Sequence, residues 1–95
     1  MFEIHWKNWE ELQIFLNHLS QQLSKLGHKD LARLVSDASS YYGLATPGEF
    51  MGESWIALKE VYKKKDQLPV ELLKSIDDMM NKIKQGYKAV GQEIE

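Results

Sequence analysis

Apolar residues recur along this chain at steps of three and four. Leu12, Phe15, Leu16, Leu19, Leu23 and Leu26 fall on one face of a helix. That helix is expected to start at Asn8, where Asn8 and Glu11 make an N-x-x-E capping box. Gly27 is its natural stop, because a left-handed backbone costs glycine little. A second face follows at once, through Leu31, Leu34, Val35, Ala38, Tyr41 and Tyr42, with Gly43 expected to close it. The connection from Gly27 to Lys29 is so short that the first two helices are expected to lie side by side, antiparallel. Before all of this, Phe2, Ile4 and Trp6 alternate with Glu3, His5 and Lys7, the pattern of a short extended arm.

The third helix has the clearest start. Thr46 can cap it, Pro47 fits the first helical position, and Glu49 can reach back to the cap. Phe50, Ser54, Ala57, Leu58 and Val61 are its expected buried face, with Met51, Trp55 and Tyr62 widening the arc. Lys63 to Asp66 lead out of it. Pro69 then opens a fourth helix, since proline is tolerated in a first turn but not inside. Leu72, Leu73, Ile76, Met79, Met80, Ile83, Tyr87, Val90 and Ile94 line that helix. Gly86 and Gly91 weaken its second half, by about 1 kcal/mol each relative to alanine. Four amphipathic helices with short links predict an all-α four-helix bundle over residues 1–95, up-down-up-down, with a short extended N-terminal arm.

Composition narrows the function classes. Ninety-five residues make one domain, and the apolar content of 43% argues against disorder. The absence of cysteine excludes disulfides and thiolate metal sites. A formal charge of −2 gives no reason to expect nucleic acid or an anionic membrane as a partner. No apolar run approaches the roughly 18 residues of a membrane span. The opening MFEIHWKNWEEL lacks a signal peptide's basic start and cleavage site, so a cytoplasmic location is the expectation.

Candidate chemistry is sparse. Bundle di-metal sites use Glu-x-x-His pairs, and none occurs here. His5, His18 and His28 form no HxH or HxxxH pair. No G-x-S-x-G surrounds Ser39, Ser40 or Ser54, and Thr46-Pro47-Gly48 is no phosphate loop. The lysine run Lys63 to Lys65 sits where positive charge complements the end of the third helix. No metal or cofactor is therefore expected.

Three features point to binding instead. Glu49, Glu53 and Glu60 share one stripe of the third helix, suited to a cationic partner. Ile14 and Ile56 point away from the apolar faces of their helices. Trp6, Trp9, Tyr41, Tyr42, Phe50, Trp55 and Tyr62 exceed what so small a bundle requires, and tryptophan and tyrosine commonly anchor interfaces. The sequence thus predicts a non-enzymatic interaction protein. It would present a helix face to a protein partner or to its own copy, with Ile14, Ile56, Trp55, Glu49, Glu53 and Glu60 as candidate contacts. Two rivals are a toxin-neutralising immunity or antitoxin protein, and a small enzyme with a pocket near Trp55 and Tyr42 and Glu53 as base.

Overall fold

The computed structural model describes residues 8–89, which form a four-helix bundle. The helices are α1 (Asn8–Lys25), α2 (Lys29–Ser39), α3 (Pro47–Tyr62) and α4 (Val70–Ala89), with a short 3-10 turn at Lys65–Gln67. There is no strand among the described residues. The expected arm through Phe2, Ile4 and Trp6 lies outside them, as do Val90, Gly91 and Ile94.

Each helix packs on the next in the chain, α1 against α2 most extensively. The core takes Leu12, Leu16, Leu19 and Leu23 from α1, and Ala32, Val35 and Ala38 from α2. Phe50, Met51, Ala57, Leu58 and Val61 come from α3, and Ile76, Met79 and Ile83 from α4. Small residues on α2 let it approach α1 closely. Ser20 Oγ donates to the Ala32 carbonyl at 2.9 Å, and Ser39 Oγ donates to Asn17 Oδ1 at 3.0 Å. No described side-chain polar atom that is buried lacks a hydrogen-bond partner, as a stable interior demands.

Gly27 ends α1 as expected, with φ +90°. The His28 N–H donates to the Leu23 carbonyl and the Gly27 N–H to the Ser24 carbonyl, so orphan carbonyls at the helix end are satisfied in a Schellman motif. Leu26 departs from expectation. It sits in this turn, beyond the helix, and is 45% exposed instead of lining the apolar face.

The end of α2 also differs. It closes at Ser39, four residues before Gly43. Serine hydroxyls supply the reason: the one Ser39 Oγ proton is shared between the Ser36 carbonyl and Asn17 Oδ1, and Ser40 Oγ donates to the Asp37 carbonyl. Such local bonds compete with helix propagation. The chain continues as turns to Gly43, which has φ +82°. Tyr41 and Tyr42 therefore leave the helical face and are exposed.

At α3 the expected cap is present in full. Thr46 Oγ1 accepts from the Glu49 N–H at 3.1 Å, and Glu49 Oε1 accepts from the Thr46 N–H at 3.1 Å. Pro47 follows in the first turn. Further along, α3 and α4 approach closely. A Cβ added at Gly86 would stand 3.1 Å from Met51 Sδ.

Two stability outcomes follow. Thr46→Ala removes half of the capping box and is expected to cost about 1 kcal/mol, lowering the melting temperature by about 4–8 °C. Gly86→Ala, which in an open helix would gain about 1 kcal/mol, is expected to gain clearly less, because Met51 must shift. Thermal melts of both variants beside the parent check these values.

Candidate functional site

The surface of interest grows out of the capped junction between α2 and α3. Phe50, on the first turn of α3, is 2% exposed and anchors the junction in the core. The Tyr42 ring leans on it, with centroids 5.6 Å apart and planes tilted by 58°. Tyr41 stands beside it in the turn. Leu44, between Gly43 and the cap, is 85% exposed. Ser40, Tyr41, Leu44, Ala45 and Glu49 line a groove of about 370 Å³ here. The junction thus leaves Leu44 in water and Tyr41 and Tyr42 partly exposed, on a backbone whose polar groups are engaged in turns and a cap. The sequence pattern did not single out Leu44. One residue between a glycine and a cap has no periodicity, and its only signal is a leucine where turns prefer polar residues.

The outward stripe of α3 continues from this groove. At about 100° per residue, Glu49, Glu53, Ile56 and Glu60 lie within about 60° of one another. Ile56 is 54% exposed, and Ile14 on α1 is 48% exposed, so both point outward as their angles predict. Glu49 holds the cap through one oxygen. Glu60 pairs with Lys63 Nζ at 2.8 Å, an exposed i, i+3 pair of small energetic weight. Glu53 is half-buried and makes no hydrogen bond or ion pair among the described residues.

The other candidates fall elsewhere. Trp55 and Tyr62 are half-buried and pack on the core cluster, whereas Tyr42 belongs to the junction. Trp55 does not line the junction groove, and the carboxylate at that groove is Glu49, not Glu53. Ser54 is fully buried and donates to the Phe50 carbonyl at 2.7 Å. His18 is exposed. Among the described residues no three His, Asp or Glu side chains gather to hold a metal ion. Lys65 lies over the Tyr62 ring at 5.7 Å. A second groove, at the α1–α2 turn, mixes Lys29 and Lys64 with Asp30, so its charge is not of one sign. Among the described residues no helix is long and apolar enough to cross a membrane.

No protein-family model, curated protein or solved structure matches this chain. Its functional reading therefore rests on the surface itself.

The junction and the core beneath it are expected to respond oppositely to truncation. Leu44→Ser should change stability by no more than about 0.5 kcal/mol, as for an ordinary surface site. Phe50→Ala should cost about 3–5 kcal/mol. Chemical denaturation of the two variants separates surface from core.

Proposed function

We propose that this protein is a non-enzymatic interaction protein. It presents the α2–α3 junction and the outward stripe of α3 to a protein partner. The observation that carries this reading is the exposure of Tyr41, Tyr42 and Leu44 together at one capped junction. Singly exposed apolar residues are ordinary, but a group held in place beside a groove marks a contact site. Tyrosine adds the amphipathic, low-entropy anchor that interfaces favour. Ile56 extends the face along α3, and Glu49, Glu53 and Glu60 supply its charge.

Self-association is the second reading, favoured by the outward placement of Ile14 and Ile56 on two different helices. Twofold homodimers are the commonest oligomers.

One pair of experiments tests both. Cross-linking in the native host should capture a defined protein with the parent, and lose it with Leu44→Ser at equal abundance and melting temperature. Capture that is indifferent to Leu44 would remove the junction from the interface. Sedimentation across a wide concentration range should show a monomer if the partner is another protein. A dimer disrupted by Ile14→Glu or Ile56→Glu would instead establish the second reading.

A further inference from the structure

The outward face of α1 carries an unusual pattern of charge. From Leu12 to Ser24 the chain has no aspartate, glutamate, lysine or arginine, although such residues make up 27% of the sequence. Depletion of charge marks the centre of a protein interface, whereas a water-facing helix side ordinarily carries it. Glu10, Ile14, His18, Gln21 and Lys25 are all exposed. At about 100° per residue they fall within about 80° of one another, nearly opposite Leu12, Leu16, Leu19 and Leu23. The flanks of this stripe are taken up within the chain. Asn17 and Ser20 bond to α2 on one side, and Glu11 pairs with Lys82 of α4 at 3.1 Å on the other.

The stripe is also complementary to itself. Its neutral middle holds Ile14 and Gln21, and an amide both donates and accepts hydrogen bonds. Its ends carry one acid, Glu10, in the first turn and one base, Lys25, in the last. They lie about 22 Å apart at 1.5 Å per residue. Turned end for end, the same stripe offers a base to the acid and an acid to the base. The steps from Ile14 to His18, Gln21 and Lys25 are four, three and four, the spacing at which two helices interlock along a seam.

We infer that a second copy of this chain packs antiparallel along α1. Glu10 meets the partner's Lys25, Ile14 meets the partner's Gln21, and His18 stands beside the twofold axis. The inference rests on the self-association reading above and supplies its geometry. Ile14 is in the contact, and Ile56, on α3, is not. Leu44 and the α2–α3 junction also stay outside it, so the dimer displays two junctions. One helix face buries less than the about 800 Å² per partner of a standard interface. The dimer is therefore weak and forms as concentration rises.

The test combines sedimentation across a wide concentration range with charge reversal. The parent should pass from monomer to dimer. Glu10→Lys and Lys25→Glu each turn two ion pairs into two repulsions, and each should raise the dimer Kd at least about fivefold at low salt. The double variant puts opposite charges back across the axis and should return the Kd close to the parent's. Both charges also complement the dipole of α1. A role confined to the dipole gives the opposite outcome, with the double variant the least stable and no better associated. The chain has no cysteine, which allows a second measurement with those charges intact. Under mild oxidation His18→Cys should give a disulfide-linked dimer across the axis, at concentrations where Ile56→Cys stays monomeric. Circular dichroism melts confirm that each variant is folded. A parent that is monomeric throughout would overturn the inference and the self-association reading together, and leave the junction reading standing. A dimer unmoved by the single reversals, not recovered by the double variant, or linked through Ile56→Cys and not His18→Cys would overturn the inference alone and place self-association on another face.

Discussion

The capping box at Thr46 is the interaction on which the rest of this surface depends. Its two reciprocal hydrogen bonds fix the direction in which the chain enters α3. That direction sends Phe50 into the core and sets the register of every later residue of the helix. Ala57, Leu58 and Val61 then face inward, Ile56 faces out, and Glu53 is half-buried. Leu44 lies just before the cap, so the same constraint leaves it in water. The cap contributes about 1 kcal/mol and marks where the exposed junction gives way to the buried face of α3 that begins at Phe50.

The scaffold around the junction is otherwise well satisfied. The serines of α1 and α2 bond across the helix pair or back to their own helix. The α1–α2 turn engages its carbonyls, and the interior leaves no described side-chain polar atom unpaired. Against that background Leu44, 85% exposed between Gly43 and the cap, stands out, while Tyr42 rests on Phe50.

Much of the bundle was legible because burial on a helix repeats every three or four residues. Leu12 through Leu23, Val35, and Phe50 through Val61 were each placed on the correct face by that period alone. The Thr46 cap was legible because its chemistry needs particular residues at a fixed spacing. The outward direction of Ile14 and Ile56 followed from the same angles. Periodicity fails where a helix stops. Leu26, Tyr41 and Tyr42 continue the spacing of their helices in sequence but not in space. For α2 the cause is the competition of Ser39 and Ser40 hydroxyls for backbone carbonyls, which a hydrophobic pattern does not register. Leu44, central to the candidate surface, has no pattern around it and required the fold to be seen.

Amide hydrogen exchange across the junction of the free protein tests the central claim, that this surface is preformed by the cap. The Glu49 amide donates to Thr46 Oγ1 and the Phe50 amide to the Thr46 carbonyl at 2.9 Å. Both should exchange slowly relative to an unstructured chain, opening only with the helix they begin. Exchange of both amides at the rate of an unstructured chain would mean that the junction is a loose loop, and that no face is held ready for a partner.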